Sequence, residues 1–213
     1  MEIAMTIKLF KSKDIRQNVY LYYDEKSGEG VIIDAGCNEN DVDLIKAELD
    51  ENNINIKAIL LTHGHIDHIV TVEELKQLTG AMVYSHEAEK LLLSDPALNL
   101  SIETRKVQKI TPDKYFKDGD IFAFGETALK VIHTPGHTQG GACYYDEKNR
   151  NLFTGDVLFS NSIGRTDLPQ GDTAALINGI RTKLMTLPDD TNVFPGHSGT
   201  TTIGREKMSN PFL

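Results

Sequence analysis

The hydrophobic pattern of the chain consists of short apolar runs that end in glycine and polar residues. The clearest run, over residues 56–61, passes directly into residues 62–68, which contain three histidines and an aspartate. A run that is short, continuously apolar and followed by glycine predicts a buried strand. Residues 69–78 then carry apolar side chains at helical spacing and lead to Gly80, which suits a helix C-cap. The pattern therefore places the histidine cluster on a loop between a strand and a helix, where open α/β sheets bind ligands.

The same pattern assigns the remaining elements. Alternating or apolar runs predict a β-meander over residues 5–10, 19–23 and 30–34. An amphipathic helix is predicted over residues 40–52, with Asn40 or Asp41 as its N-cap. Further strands are predicted at residues 81–84, 115–116, 121–124, 128–132, 142–145, 152–154 and 192–194, and further helices at residues 87–93, 172–187 and from about Thr202 onward.

The order of these elements predicts an α/β (α+β) protein. Each half gives a run of strands followed by helices, which favours two mixed β-sheets packed face to face with helices outside, a four-layer αββα sandwich. No stretch rich in Pro, Gly or Ser separates the halves, so we expect a single domain over residues 1–213. Residues 94–112 show no sustained period, and we expect either a flap over the site or a surface excursion.

Composition and charge narrow the classes of function. The 213 residues are 39% hydrophobic and 25% charged, and their net charge is −9 without a block rich in Lys or Arg. This balance argues against a nucleic-acid partner, and no apolar stretch approaches the length of a membrane span. The N-terminus has neither a basic leader nor an apolar signal core, so we expect a cytoplasmic protein that acts on a small molecule. Its oligomeric state is left open. Cys37 and Cys143 form no metal or redox motif and are expected to be reduced core residues.

The spacing within residues 62–68 has a chemical reason. In extended chain His63 and His65 point to the same side, whereas Asp67 and His68 follow once the chain has turned and can face a second point. Imidazole nitrogen and carboxylate oxygen are ligands that suit zinc, iron or manganese. Three later apolar runs end in the same way, beside glycine, in His137, Asp156 and His197.

Together these segments resemble the five-motif pattern of the metallo-β-lactamase superfamily. The resemblance covers nearly the whole chain, and its motifs are Thr62-His63-Gly64-His65-Ile66-Asp67-His68, Pro135-Gly136-His137, Thr154-Gly155-Asp156 and Pro195-Gly196-His197. Within the superfamily, residues 153–159, 163–169, 201–206 and 210–212 look most like the short glyoxalase II-like (hydroxyacylglutathione hydrolase-like) enzymes.

The resemblance implies the metallo-β-lactamase fold and a binuclear site. The metal ligands that it implies divide into a first site, a second site and one bridging residue: His63, His65 and His137; Asp67, His68 and His197; and Asp156. Two neighbouring cations need a shared carboxylate and a shared hydroxide to screen their repulsion, and metal binding lowers the pKa of water to roughly 7. The implied cofactors are two divalent ions, zinc ahead of iron or manganese, and Asp67 and Asp156 are the implied catalytic carboxylates.

The leading hypothesis from this resemblance is a metal-dependent hydrolase that directs a metal-bound hydroxide at a thioester or related ester. Full-length glyoxalase II enzymes carry a further helical C-terminal domain that supplies basic residues for glutathione. Here sixteen residues follow His197, so the thiol carrier stays open and a lactone is an alternative substrate.

Three other functions are weighed against this hypothesis. A mononuclear iron persulfide dioxygenase would use His63, His137 and Asp156, but that family tends to have Cys where this chain has Ile163. A true β-lactamase is disfavoured because a bridging Asp156 is not its usual pattern. A non-catalytic metal-binding or partner-binding module on the same fold is disfavoured by the complete ligand set.

Three further side chains are candidates for binding or supporting roles. Arg165 could bind a substrate carboxylate or pin its own loop. Tyr145 is the second candidate for substrate binding; because it alternates with Tyr144, only one of the two can face the site, and core packing is the alternative. His133 is expected to be a core residue or a support for a ligand, and His86 is expected at the surface.

Overall fold

The computed structural model describes residues 5–12 and 16–213, and most of its strands belong to two six-stranded sheets. The strands are β1 (Met5–Lys11), β2 (Asn18–Asp24), β3 (Glu29–Ile33), β4 (Asn55–Leu60), β5 (Met82–His86), β6 (Lys114–Phe116), β7 (Ile121–Phe124), β8 (Thr127–His133), β9 (Ala142–Asp146), β10 (Asn151–Gly155), β11 (Leu158–Phe159), β12 (Ser162–Ile163), β13 (Asn192–Pro195) and β14 (Thr201–Thr202). The α-helices are α1 (Glu39–Glu51), α2 (Ile66–Ile69), α3 (Val72–Thr79), α4 (Lys90–Ser94), α5 (Thr173–Gly179) and α6 (Ile203–Ser209).

Both large sheets are mixed, as the sequence predicts. The first has the order β1-β2-β3-β4-β5-β6, antiparallel from β1 to β3 and parallel from β3 to β6. The second has the order β14-β13-β10-β9-β8-β7, in which only β10 and β13 are parallel. β11 and β12 form a separate small hairpin that the sequence pattern does not predict.

Three hydrophobic cores show that the layers stack as an αββα sandwich. Between the sheets, Tyr22 of β2 and Phe153 of β10 are fully buried and pack against each other. A second core lies between the first sheet and helices α1 and α3, where Ile45 and Leu75 are buried. A third lies between the second sheet and helices α5 and α6. Successive residues of one strand serve different cores, because side chains alternate across a strand and both faces of each sheet are covered.

Several predicted helices begin or end elsewhere. The predicted helix over residues 69–78 is two helices, α2 and α3, because the backbone N–H and the hydroxyl of Thr71 both donate to the carbonyl oxygen of Ala35. The N-cap of α1 is Asn38, which forms a capping box with Asp41. The predicted helix over residues 172–187 is α5 followed by a π-helical turn, Ile180–Leu184, and Asp172 is its N-cap.

The helices also bear on membrane association. None of those in residues 5–12 and 16–213 is both long enough and apolar enough to span a membrane. Residues 1–4 of the N-terminus lie outside the described residues.

Candidate metal centre

The topology of the sheets brings the predicted ligand segments to one edge of the sandwich. β8 and β10 run in the same direction because each is antiparallel to β9, and β13 is parallel to β10. The carboxyl ends of these three strands therefore lie together, and they lead to His137, Asp156 and His197. In the first sheet, the parallel strands β3 and β4 end at the same edge. The histidine cluster follows β4, so it faces the segments from the second sheet.

Two glycines allow the strand ends of the two sheets to approach closely. Gly155 has φ +48°, and a Cβ there would collide with the Thr62 side chain. A Cβ on Gly196 would lie 2.5 Å from Asp156 Oδ1 and 2.6 Å from the His68 ring. The sheets are also joined directly here, because the Ala142 N–H donates to the Thr62 carbonyl oxygen over 2.9 Å. The absence of a side chain at these two glycines therefore leaves room at the cluster for the side chains of the predicted ligands.

The first triad consists of His63, His65 and His137, all of them buried. His65 Nδ1 lies 2.9 Å from His137 Nε2, and His137 Nε2 lies 3.3 Å from His63 Nε2. Ligand atoms about 2.0–2.1 Å from a tetrahedral ion stand roughly 3.4 Å apart. These two separations are close to that of atoms that share one metal ion, and all three ligand atoms lie within 4.8 Å of one another.

The second triad consists of Asp67, His68 and His197. Asp67 Oδ2 lies 3.1 Å from His197 Nε2 and 3.7 Å from His68 Nε2. The Asp67 and His197 side chains are 34% and 28% exposed, whereas the first triad is buried. The cluster is therefore more open to solvent on the side of the second triad.

Asp156 lies between the two triads. Its Oδ1 is 3.3 Å from His68 Nε2, and its Oδ2 is 3.6 Å from His197 Nε2 and 3.7 Å from His137 Nε2. The carboxylate thus faces two residues of the second triad and one of the first. Asp67 and Asp156 are the two acidic side chains that the sequence predicts for this site, and both are in it.

Hydrogen bonds behind the rings orient the histidines. His137 Nδ1 donates to the Arg165 carbonyl oxygen over 2.7 Å, and His197 Nδ1 donates to the Arg16 carbonyl oxygen over 3.0 Å. His68 Nδ1 lies 2.8 Å from Asp34 Oδ2. Each of these bonds holds a proton on Nδ1 and leaves Nε2 free to face the cluster.

Asp34 bonds to a residue of the second triad, and the sequence pattern did not lead to its prediction. It is buried, follows β3 and has φ +61°, and it accepts hydrogen bonds from the backbone N–H and the hydroxyl of Thr62 as well as from His68. A signal for it existed, because Asp34 ends an apolar strand run two residues before Gly36, as the ligands end theirs near glycine.

The charges of the site favour a cation near the second triad. Burial lowers the pKa of His65 to about 3, and it also lowers the pKa of His63 well below its usual value. Burial likewise opposes protonation of His68, but the carboxylates of Asp156, Asp34 and Asp67 outweigh it and raise the pKa of His68 well above its usual value. His63 and His65 are thus neutral, whereas His68 is surrounded by negative charge.

The donor set fits a divalent metal ion. His68 Nε2 and Asp156 Oδ1 are buried and have no hydrogen-bond partner among the described residues, although they face each other. Such orphaned buried atoms are rare unless an ion or water satisfies them. Imidazole and carboxylate donors in these two triads are ligands of zinc and of iron.

Comparison with known proteins identifies the family to which this site belongs. The model of the metallo-beta-lactamase superfamily matches residues 13–197, which include every predicted ligand. The chain belongs to the metallo-beta-lactamase superfamily. The predicted fold is confirmed, and the triads described above lie within the matched residues.

Three proteins of known name or structure are similar to this superfamily member over nearly its whole length. Hydroxyacylglutathione hydrolase GloC of Haemophilus influenzae is 36% identical over 212 residues, which are 98% of each chain. The crystal structure of BLEG-1 B3 metallo-beta-lactamase is 39% identical, covers 98% of this chain and 99% of its own, and has a TM-score of 0.89. TTHA1623, solved in a di-iron-bound form, is 33% identical, with 97% and 100% coverage and a TM-score of 0.84.

Within this metallo-beta-lactamase fold, the two predicted substrate-binding residues are not brought into the cluster. The exposed Arg165 side chain forms a bidentate ion pair with Asp167, with both distances 2.7 Å, and only its carbonyl oxygen reaches His137. Tyr145 is buried in the outer core beneath α5 and α6. The reason is strand alternation, since Tyr144 takes the inner face and donates to the Leu61 carbonyl oxygen over 2.7 Å.

The remaining histidines and the two cysteines lie outside the two triads and contact other parts of the protein. The prediction of a surface His86 is wrong: it is buried because β5 extends to include it, and it stacks on the ring of His133 at 3.9 Å. His133 Nε2 donates to the Gln139 carbonyl oxygen over 2.9 Å, so its ring bonds to protein backbone. Cys37 and Cys143 are free and buried, and burial raises their pKa to about 11 and about 12.

Proposed function

We propose that this protein is a binuclear metal-dependent hydrolase that cleaves a thioester or related ester in the manner of glyoxalase II-like enzymes. The observation that carries the proposal is the position of Asp156 between two complete triads. A carboxylate there can bridge two cations and screen their repulsion. The similarity to the relative named hydroxyacylglutathione hydrolase GloC supports the choice of a thioester.

The protein's own residues prepare the site for this reaction. His63, His65 and His137 would hold the first ion, Asp67, His68 and His197 the second, and Asp156 both. Bound there, divalent ions supply a water of lowered pKa and an electrophile for the scissile carbonyl. Asp34 and the carbonyl oxygens of Arg16 and Arg165 hold protons at Nδ1 of three rings, which keeps the Nε2 lone pairs on the metal side.

The substrate would approach over the second triad. Asp67 and His197 are the partly exposed members of the cluster, while the first triad lies deeper. A carbonyl that enters from this side meets Asp67 before it reaches the three buried imidazoles. No serine or cysteine nucleophile is needed, and the buried Cys37 and Cys143 are not placed to supply one.

Two competing activities are included in the test. A mononuclear iron persulfide dioxygenase needs only His63, His137 and Asp156, and it leaves the second triad without a role. β-Lactam hydrolysis is favoured by the 39% identity to BLEG-1 B3 metallo-beta-lactamase, and it is disfavoured by the aspartate at position 156. We place thioester hydrolysis ahead of both because it uses every residue of the cluster.

The deciding experiment combines metal analysis with a substrate panel. Protein as purified is analysed for metal content and assayed with a hydroxyacylglutathione, other acyl thioesters, a lactone, a chromogenic cephalosporin, and a persulfide with an oxygen electrode. About two metal equivalents with thioester turnover as the best activity would support the proposal. One iron with persulfide-dependent oxygen uptake, or a cephalosporin turned over faster than every thioester, would overturn it. The variant His65→Ala separates the rivals, because it should abolish thioester hydrolysis, whereas a mononuclear site of His63, His137 and Asp156 does not need His65.

A further inference from the structure

Residues 99–108 form a firmly hydrogen-bonded loop next to the second triad. The buried Asn99 side chain donates to the Gln108 carbonyl oxygen over 3.0 Å, and the Gln108 N–H donates to the Ser101 hydroxyl over 2.9 Å. Two bonds attach this loop to α2: Ile66 N–H donates to the Asn99 carbonyl oxygen, and Gln108 Nε2 donates to the Val70 carbonyl oxygen. The loop is therefore built onto the element that carries Asp67 and His68.

A cavity lies between this loop and α2. Its volume is about 270 Å³, its accessible lining is almost wholly apolar, and it is lined by Ile66, Asp67, Val70, Thr104, Arg105 and Lys106. At roughly 30 Å³ for a water-sized group, it could hold a chain of about nine such groups. Asp67 belongs both to this cavity and to the second triad. A molecule in the cavity would therefore extend directly from the reacting centre.

Residues of opposite charge flank the cavity, and mainly their carbon atoms form its apolar lining. Asp67 lies on the side of the metal centre, and the loop contributes two cations, Arg105 and Lys106. The Lys106 ammonium is paired with Glu74. Across the part of the chain that the structure describes, the arginines in ion pairs are Arg150 and Arg165, so the Arg105 guanidinium is available. In a protein of net charge −9, an unpaired arginine beside an apolar cavity favours an anionic ligand.

We propose that this cavity is a substrate subsite, and that it selects thioesters in which an apolar stem ends in an anionic group. The carbonyl lies over Asp67 and His197, the stem fills the cavity between α2 and the loop, and the anion meets Arg105. The stem can belong either to the acyl chain or to the thiol, since the chemistry at the cavity is the same. This inference rests on the proposed thioester hydrolysis and adds to it the class of substrate.

The test compares Arg105→Gln with wild type on paired thioesters. One pair differs on the acyl side, hexanoyl against adipoyl thioester of the neutral thiol N-acetylcysteamine. The other pair differs on the thiol side, the hexanoyl thioester of N-acetylcysteamine against that of 3-mercaptopropionate. In one of the pairs we expect the variant to raise KM for the anionic member about fivefold, as for one exposed ion pair. Its kcat and its KM for the neutral member should stay within about twofold. The pair that responds identifies the end of the substrate in the cavity.

Two further variants test whether the effect is specific to the charge of Arg105 and whether the shape of the cavity matters. Lys109→Gln removes an exposed cation directly after the loop and outside the cavity, and it should leave every KM as in wild type. Val70→Phe narrows the cavity, and it should weaken kcat/KM for hexanoyl thioesters at least tenfold while it spares the acetyl thioester. The inference is overturned if Arg105→Gln affects anionic and neutral substrates alike or affects neither. It is equally overturned if Val70→Phe impairs the acetyl substrate as much as the hexanoyl one.

A binding measurement distinguishes failure of this inference from failure of the proposed function. The probe is 3-(hexylthio)propanoate, a thioether that cannot be hydrolysed, titrated calorimetrically against its neutral primary amide. If wild type hydrolyses no thioester but binds the anion more tightly than the amide, and Arg105→Gln loses that preference while Lys109→Gln keeps it, the subsite stands and the proposed reaction fails. Equal binding of the anion and the amide to wild type overturns the subsite itself.

Discussion

The imidazole of His68 and the carboxylate of Asp34 form a buried pair, with Nδ1 2.8 Å from Oδ2. The same carboxylate accepts a hydrogen bond from the Thr62 hydroxyl, and that hydroxyl lies 3.1 Å from His63 Nδ1. His68 belongs to the second triad and His63 to the first. One carboxylate, itself outside both triads, therefore orients a ring in each.

Asp34→Asn should lower metal affinity without removing a ligand. Asparagine keeps the shape of the side chain but loses the negative charge that holds the proton on His68 Nδ1. We expect apparent affinity for metal to fall about 10–100-fold, the usual effect of losing such a partner. Competition with a chromogenic chelator measures it. Asp24→Asn is the matched control, because Asp24 is also buried and hydrogen-bonded but lies at the far end of β2; equal affinity losses in the two variants would contradict the assignment.

His65→Ala should lose hydrolysis far more than it loses stability. His65 lies at the start of α2 on the loop after β4, where the hydrophobic cores do not depend on it. We expect thioester kcat/KM to fall at least about a thousandfold, as for loss of metal-assisted chemistry, with the melting temperature of the metal-free protein nearly unchanged. His133→Ala removes an imidazole outside the cluster and should keep its metal. A His65→Ala protein with full metal content and wild-type kcat would show that His65 is no ligand.

Asp156→Asn should remove one metal before the other. Asparagine retains one oxygen but not the charge that screens two cations, so the more weakly held ion should dissociate first. We expect the variant to fold, to purify with about one metal equivalent fewer than wild type, and to lose roughly three or more orders of magnitude in activity. Metal analysis of both proteins, prepared side by side, checks this. Unchanged stoichiometry with lowered stability would instead make Asp156 a structural residue.

Glu89 should make stability depend on pH. It is fully buried, accepts hydrogen bonds from the Thr138 hydroxyl and the Gly140 N–H, and has a pKa raised to about 7 by burial. Because the folded pKa exceeds the unfolded value of 4.5, the unfolded state releases the proton first. The stabilisation from Glu89 is therefore complete below about pH 4.5 and is lost as pH rises through 7. The loss is on the order of 3 kcal/mol, at roughly 1.36 kcal/mol per pKa unit.

The measurement is denaturant unfolding of chelator-treated protein from pH 4.5 to 8. Relative to wild type, Glu89→Gln should gain stability as pH rises from 4.5 to about 7 and then level off, since glutamine cannot ionise. Glu87→Gln, at an exposed position on the same turn, should run parallel to wild type. If the difference between Glu89→Gln and wild type stays constant with pH, the carboxyl does not titrate in this window.

Much of the fold followed from local pattern alone. Apolar runs that end in glycine located β4, β8, β10 and β13, because a buried strand needs a continuous apolar face and the chain must turn at its end. The bounds of the helices were predicted less well. α2 and α3 separate at Thr71 because its backbone N–H and its hydroxyl both donate to Ala35, a contact across 36 residues of sequence. His86 was misplaced for a similar reason, since only the pairing of β5 with β6 shows that the strand continues to it.

The sequence by itself determined the ligand types and the segments that carry them, because short-range spacing decides which side chains share a face of a strand or a turn. It could not determine that Asp34 orients His68, that Tyr145 faces away from the cluster, or that residues 99–108 enclose a cavity with α2. Each of these depends on which strand face packs inward and on hydrogen bonds between segments far apart in the chain. Such contacts have no local signature, because their energy exists only once both sheets and the loops at their shared edge are in place.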